Sequence, residues 1–187
     1  MTAADTAVAA PWSAHPAAPP RCVVVTGPVG AGKTRWLQCC VRRLLQRQPA
    51  ARPAVLLAEE GRTRMENFCR ETPGVVWRKL SLPCTCCPAA ADLPGAVRAL
   101  VGPARADWLF LELPVIAAPG LLAEFDQMLG WSRSFVACLT PRWARALAAE
   151  EIPPFQSVLF GQADIVIAGP SDAERAVDRL IPEACPP

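Results

Sequence analysis

The sequence predicts an α/β fold in which a mostly parallel β-sheet is covered by helices on both faces. Short apolar runs rich in β-branched residues recur along the chain, and amphipathic segments of helical period separate them. Such alternation is typical of parallel sheets, whose strands need a crossover connection. A glycine-rich segment joins the first apolar run to the first amphipathic segment. We expect one domain over residues 21–181, after an Ala- and Pro-rich disordered tail at 1–20 and before a frayed C-terminus at 182–187.

The glycine-rich segment matches the phosphate-binding motif G-x-x-x-x-G-K-[ST] in full. An apolar run at 22–26 precedes it and an amphipathic segment at 35–45 follows it, which is the strand, loop and helix context that the motif requires. Glycines allow consecutive backbone N–H groups to face phosphate oxygens, and the helix start adds its positive dipole end. The alternative is a glycine-rich turn that matches by chance. The residues predicted to bind a nucleotide are Gly27, Pro28, Val29, Gly30, Ala31, Gly32, Lys33, Thr34 and Arg35.

Three side chains have specific chemical roles in this prediction. The Lys33 ammonium would contact the β- and γ-phosphates, and the Thr34 hydroxyl would ligate Mg²⁺. A further apolar run, 107–112, ends in Glu112, and a buried strand that ends in an acid is typical of the carboxylate that faces Mg²⁺ in such sites. We therefore predict the three-layer sandwich of P-loop NTPases, with Lys33 and Glu112 as catalytic residues.

The remaining pattern completes the predicted sandwich. We predict strands at 54–58, 75–80, 107–112, 134–140 and 163–168, and helices at 92–101, 119–129, 141–161 and 171–180, with an interruption at Pro153 and Pro154. The last helix is predicted to begin at Ser171 as N-cap, with Glu174 in the capping-box position.

The composition excludes several classes of function and location. With 52% hydrophobic residues the chain can bury a sizeable core, and a net charge of +2 with scattered arginines leaves no nucleic-acid footprint. No apolar run approaches the length of a membrane span, and the N-terminal segment lacks the basic and apolar regions of a signal peptide. We therefore expect a cytoplasmic protein whose nine cysteines are reduced. The only histidine, His15, lies in the predicted tail.

Three of the cysteines, Cys84, Cys86 and Cys87, lie within four residues. Thiolates suit Zn²⁺ or another late divalent cation, so this cysteine cluster predicts a transition-metal site. A fourth ligand could come from Cys69, from the acidic pair at 59–60, from water or from a partner protein. An incomplete set of protein ligands suits a site that hands its metal on. The alternatives are a cluster of small buried residues or a redox pair.

The acidic pair at 59–60 follows the predicted strand 54–58. Because strand ends next to the phosphate loop line the ligand crevice, the pair could ligate Mg²⁺ or a second metal. A solvated loop is the alternative. Arg62, Arg64 and Arg70 follow along the chain and could contact phosphate, although scattered arginines usually make no specific contact.

The order of these motifs resembles that of the CobW-type GTPases, which group with HypB and UreG as P-loop proteins linked to metal delivery. The family's C-x-C-C falls on the cysteine cluster, and its E-x-x-G-x-A-D-P falls on 112–119. Residues 163–164 match the Ala-Asp pair before the family's last strand, Gln156 is an approximate match for its glutamine, and Asp172 matches the aspartate of N-K-x-D. The resemblance covers roughly 22–181.

The resemblance implies a function that couples GTP to metal handling. Mg²⁺-bound GTP would occupy the phosphate loop, Glu112 would orient the Mg²⁺ shell or the attacking water, and Asp172 would contact guanine. The cysteine cluster would carry Zn²⁺ or Co²⁺, and the nucleotide state would change its metal affinity. Slow GTP hydrolysis, a client metalloprotein and a nucleotide-dependent homodimer are also implied.

This sequence departs from the family pattern at the residues that contact the γ-phosphate and at those that recognise guanine. Val115 replaces the glycine whose N–H contacts the γ-phosphate, and Ala118 replaces the adjoining aspartate. Gly169 and Pro170 stand where the family has Asn and Lys, so guanine recognition depends on Asp172 and ATP stays open as a ligand. One alternative is therefore a catalytically degenerate regulatory module that binds nucleotide or metal. Another is a small-molecule P-loop kinase, which would leave the cysteine cluster without a role.

Overall fold

A computed structural model of the chain describes residues 19–58, 65–80, 93–116 and 118–182. Most of the predicted tail, the acidic pair at 59–60 and the cysteine cluster lie outside these ranges. None of the helices in the described ranges is both long enough and apolar enough to cross a bilayer.

The described residues form six strands and seven helices. The strands are β1 (Arg21–Thr26), β2 (Pro53–Leu57), β3 (Val76–Lys79), β4 (Trp108–Glu112), β5 (Arg133–Cys138) and β6 (Ile165–Ile167). The helices are α1 (Lys33–Arg47), α2 (Met65–Glu71), α3 (Leu93–Ala104), α4 (Ala118–Leu129), α5 (Pro141–Ala148), α6 (Pro154–Gly161) and α7 (Pro170–Leu180).

All six strands pair in parallel, in the order β3-β2-β4-β1-β5-β6. Every residue of β2 and β4 is buried, because helices pack on both faces of the sheet. One apolar core lies between the sheet and α1, α2 and α7, and the other lies between the sheet and α3, α4 and α6. The predicted three-layer α/β sandwich is therefore confirmed.

β1 lies between β4 and β5, and this position determines where the glycine-rich loop emerges. The register pairs Val25 of β1 with Glu112 of β4, and Thr26 of β1 with Ala137 of β5. The buried Thr26 hydroxyl donates a hydrogen bond to the carbonyl of Leu113 at 3.0 Å. The carboxyl ends of the three central strands are thus held together around the start of the loop.

The start of α7 differs from the prediction. Its N-cap is Gly169 and its first helical residue is Pro170, so the assignment of Ser171 as N-cap and Glu174 as its capping partner is wrong. Proline is well suited to the first helical position, because its φ is already helical and the N–H that it lacks has no partner there. The helix therefore begins earlier than the serine suggests.

Two further differences come from short elements. α2 spans seven residues and was not predicted, because so short a segment shows too little of the helical period. β6 covers three residues, Ile165–Ile167, rather than 163–168. It is the end strand of the described sheet, and it pairs only with β5.

Candidate nucleotide-binding site

The loop between β1 and α1 contains three glycines whose backbone conformation suits a phosphate-binding loop. Gly27, Gly30 and Gly32 have φ values of 153°, 79° and 84°, which residues with a side chain rarely adopt. Gly27 also lies directly against β5, since a Cβ atom built on it would be 1.9 Å from the carbonyl oxygen of Cys138. Val29 is 89% exposed and lies at the outer side of the loop.

Lys33 is the first residue of α1, and its side chain is buried against the loop. Its Nζ donates hydrogen bonds to the carbonyl oxygens of Gly27 at 2.9 Å and Pro28 at 3.3 Å. The ammonium group is thus held within the loop whose backbone N–H groups would face a phosphate. An anionic phosphate oxygen is a stronger acceptor for it than a neutral carbonyl.

Thr34 and Glu112 form the second polar contact of the site. The Thr34 hydroxyl lies 2.8 Å from Oε1 and 3.1 Å from Oε2 of Glu112, to which it donates. Glu112 is only 1% exposed, and it ends β4 beside the loop. Hydroxyl and carboxylate oxygens are ligands that Mg²⁺ prefers, so this pair fits a Mg²⁺ site. The structure therefore brings Glu112 into contact with Thr34, which precedes it by 78 residues in the sequence and is the neighbour of Lys33.

Cys138, which the sequence analysis gave no role, ends β5 beneath the loop. Burial raises the pKa of its thiol to about 12, with a smaller opposing effect from Lys33 and a smaller raising effect from Glu112. The thiol is therefore neutral at physiological pH and is a poor nucleophile and metal ligand. The signal that could have revealed it is its place at the carboxyl end of a strand next to the phosphate loop.

A groove of about 690 Å³ extends from the loop along α1 to the start of α7. Its walls are the loop, one side of α1, the chain after β5 and the first two turns of α7. Near the loop it is lined by Gly30, Ala31, Gly32, Arg35 and Trp36, and at its far side by Leu139, Thr140, Pro141, Ala168, Gly169, Pro170 and Ala173. A base and ribose attached to phosphates on the loop would lie in this groove.

Asp172, the predicted guanine contact, is next to the groove but is not among the residues that line it. One of its carboxylate oxygens accepts a hydrogen bond from the Ala168 N–H at 3.1 Å. The other accepts from Arg175, one turn further along α7. Asp172 therefore stabilises the start of α7.

Val115 lies in the turn after β4 and is half-buried against the core. The non-glycine residues with positive φ in the described ranges are Arg105 and Glu150, so Val115 has a backbone conformation that any residue adopts. The conformational freedom of the glycine that it replaces is not used in this turn.

The predicted metal ligands Cys84, Cys86 and Cys87 lie outside the described residues. Within the described ranges, no group of three His, Cys, Asp or Glu side chains is arranged to hold a metal ion. Arg70, a predicted phosphate contact, instead lies over the ring of Trp77 at 5.7 Å. The other two arginines of that prediction, at 62 and 64, lie outside the described ranges.

Comparison with known proteins gives a family and a fold. A family model described as CobW/HypB/UreG, nucleotide-binding domain, matches residues 21–167. Among curated proteins no match is found. The solved structure of the signal recognition particle receptor FtsY from Elizabethkingia anophelis has a TM-score of 0.60 and 12% identity, over 85% of this chain and 54% of that one. This chain thus spans about half the length of the FtsY chain.

Two HypB structures are also similar. The hydrogenase maturation factor HypB from Archaeoglobus fulgidus has a TM-score of 0.50 and 15% identity, over 88% of this chain and 78% of that one. HypB from Helicobacter pylori in complex with nickel has a TM-score of 0.40 and 12% identity, over 86% of this chain and 85% of that one. Because the identities are so low, the FtsY and A. fulgidus HypB structures show only the fold of this chain.

Proposed function

The chain belongs to the CobW/HypB/UreG family, and from this premise we propose that it is a nucleotide-dependent metal-handling protein. It would bind Mg²⁺-bound GTP on the loop between β1 and α1, and would hydrolyse it slowly. Zn²⁺ or Co²⁺ would be the cargo, carried by the cysteine cluster and passed to a client metalloprotein or within a homodimer.

The observation that best supports nucleotide binding is the hydrogen bond between Thr34 and Glu112. It joins the phosphate loop to the end of β4 and leaves a hydroxyl and a carboxylate where a Mg²⁺-bound triphosphate needs hard oxygen ligands. Lys33 lies in the same loop, with its ammonium group on loop carbonyls. The three side chains together would form a site for a metal-bound triphosphate.

Each side chain then has a defined task. Lys33 would exchange its loop carbonyls for phosphate oxygens and so neutralise part of their charge. Thr34 would contribute a hydroxyl ligand to Mg²⁺, which when bound neutralises phosphate charge. Glu112 would accept hydrogen bonds from the water molecules around the site, and its burial would keep it in one orientation.

We expect Thr34→Ala to reduce the gain in GTP affinity that Mg²⁺ provides by at least about tenfold, because a charged contact of about 1.5 kcal/mol is lost. The measurement is a titration with a fluorescent GTP analogue in Mg²⁺ and in EDTA. Thr34→Ser keeps the hydroxyl and should behave as the wild type. Thr72→Ala is the matched control, since the Thr72 hydroxyl donates to the Phe68 carbonyl at 2.7 Å in α2. Equal Mg²⁺ enhancement in Thr34→Ala would contradict the assignment.

Metal handling is proposed from the cysteine cluster and from the direction of β3. The strands are parallel, so the chain leaves β3 at Lys79 on the same edge of the sheet as the phosphate loop leaves β1. The cluster begins five residues later in the sequence, at Cys84. We therefore propose that a change at the nucleotide alters the metal affinity of the cluster.

Competition with a chromophoric chelator tests this coupling. We expect the wild type to bind Zn²⁺ with an affinity that differs between the free and the Mg²⁺–GTP-bound protein, because the two sites would share one edge of the sheet. Replacement of Cys84, Cys86 and Cys87 by serine should abolish high-affinity Zn²⁺ binding. Cys39→Ser, measured without nucleotide, is the control for Zn²⁺ binding, because Cys39 is an exposed thiol on α1 that lines the groove. The same Zn²⁺ affinity with and without nucleotide would exclude the coupling.

A second candidate is a module that binds nucleotide without hydrolysing it, and Val115 favours it. A half-buried valine stands where the family has the glycine that contacts the γ-phosphate. Steady-state release of phosphate decides between the two candidates. Mg²⁺-dependent turnover that Lys33→Ala abolishes supports the GTPase, and binding without turnover supports the module.

A further inference from the structure

We propose, on the basis of the nucleotide binding proposed above, that this site does not select guanine over adenine. GTP and ATP would then compete for the same groove on nearly equal terms. Two features of the structure lead to this inference: the direction of the Asp172 carboxylate and the apolar character of the groove where a base would lie.

Selection of guanine by a carboxylate needs an acceptor that faces the base. Guanine presents a ring N–H beside an amino group, so a carboxylate can accept from both. Adenine presents an acceptor nitrogen beside its amino group, and this nitrogen repels a carboxylate, which has no proton to donate. A site that discriminates in this way therefore requires an acidic side chain directed into the groove.

Asp172 does not meet this requirement, because its carboxylate is held at the start of α7 and does not line the groove. One carboxylate oxygen accepts from the Ala168 N–H at 3.1 Å, and the other from the Arg175 guanidinium. The neighbouring residues Gly169 and Pro170 line the groove, whereas Asp172 does not.

The local sequence explains why Asp172 is directed to the helix. Gly169 is the N-cap and has no side chain to accept a backbone hydrogen bond, so α7 lacks a side-chain cap at that position. Asp172 lies in the first turn, where the helix dipole favours a negative charge, and its contact with the Ala168 N–H supplies an acceptor just before the helix. Rotation of Asp172 toward a base would remove this contact and the ion pair with Arg175.

Near the start of α7 the walls of the groove include Leu139, Pro141, Ala168 and Ala173, which offer apolar surface to either purine. The acid that lines the groove, Glu174, is exposed to solvent, so its contact with a base would be screened and would discriminate weakly. The Thr140 hydroxyl oxygen accepts from the Trp143 N–H at 3.3 Å as the N-cap of α5, and its O–H can donate to a base. A donor suits ring nitrogens that both purines carry.

The test compares Mg²⁺-bound GTP, ATP and ITP as competitors of a fluorescent GTP analogue on the full chain. ITP lacks the amino group of guanine. We expect the three dissociation constants to agree within about tenfold, since apolar walls discriminate poorly between similar ligands, whereas unmatched buried polar groups reject them by about 10⁴-fold. Asp172→Ala should lower the melting temperature and leave the ratio of the three constants unchanged.

A preference for GTP over ATP of about 10²-fold or more would overturn the proposal, whether or not ITP binds as GTP does. Loss of such a preference in Asp172→Ala would identify Asp172 as the base contact, and loss in Glu174→Ala would identify Glu174, an exposed carboxylate that lines the groove. If Asp172→Ala does not fold, the ratios of the three dissociation constants of the wild type are sufficient to test the proposal. Failure of all three triphosphates to bind would instead refute the phosphate site, which distinguishes the two proposals.

Discussion

Lys33→Ala should weaken the binding of Mg²⁺-bound GTP and ATP by about 10- to 150-fold, because a hydrogen bond to a charged group contributes about 1.5–3 kcal/mol. In the free protein the Lys33 ammonium is held by the carbonyl oxygens of Gly27 and Pro28. It is therefore already positioned in the loop, and little rotamer freedom is lost when phosphates replace the carbonyls. Equilibrium titration with fluorescent GTP and ATP analogues measures the effect.

The chain provides a matched control for this substitution, since its only other lysine is Lys79. Lys79 is exposed at the end of β3, which is an outer strand of the described sheet, so Lys79→Ala removes the same charge without changing the loop. We expect Lys79→Ala to bind as the wild type does. Equal losses in both variants would indicate a general effect of net charge, and no loss in Lys33→Ala would mean that the loop does not bind phosphate through this residue.

Features that depend on neighbouring residues could be predicted from the sequence. The phosphate loop is determined by eight consecutive residues, and its strand and helix follow directly before and after it. Glu112 could be predicted because an apolar strand that ends in an acid is also a local pattern. The parallel sheet followed from the alternation of strands and helices, since parallel strands need crossovers.

Features that depend on distant residues, or on competition between local signals, could not be predicted. The contact of Gly27 with the Cys138 carbonyl joins residues that are far apart in the chain, and it exists only because β1 and β5 pair. At the start of α7, Ser171 is a good N-cap residue, but Pro170 can occupy the first helical position and the helix begins there. The direction of Asp172 follows from that earlier start.

The contact between Gly27 and β5 makes Gly27→Ala the substitution with the largest expected effect on the folded site. The added Cβ would lie 1.9 Å from the carbonyl oxygen of Cys138. This oxygen cannot retreat easily, because β5 is paired with β1 on one side and with β6 on the other. Overpacking costs about 1–3 kcal/mol and an unfavourable φ about 1–2 kcal/mol more. We expect a loss of stability of about 2–5 kcal/mol, together with loss of nucleotide binding.

Gly74→Ala is the control that measures the cost of an unfavourable backbone conformation without a steric clash. Gly74 has a φ of 84° in the turn between α2 and β3, and a Cβ built on it meets nothing within 4 Å. Its substitution should therefore cost about 1 kcal/mol and leave nucleotide binding intact. Urea unfolding and nucleotide titration of both variants check the comparison. If Gly27→Ala unfolds like Gly74→Ala and still binds GTP, the loop does not need its close approach to β5. If it folds but no longer binds, the approach to β5 is what gives the loop the shape of a phosphate site.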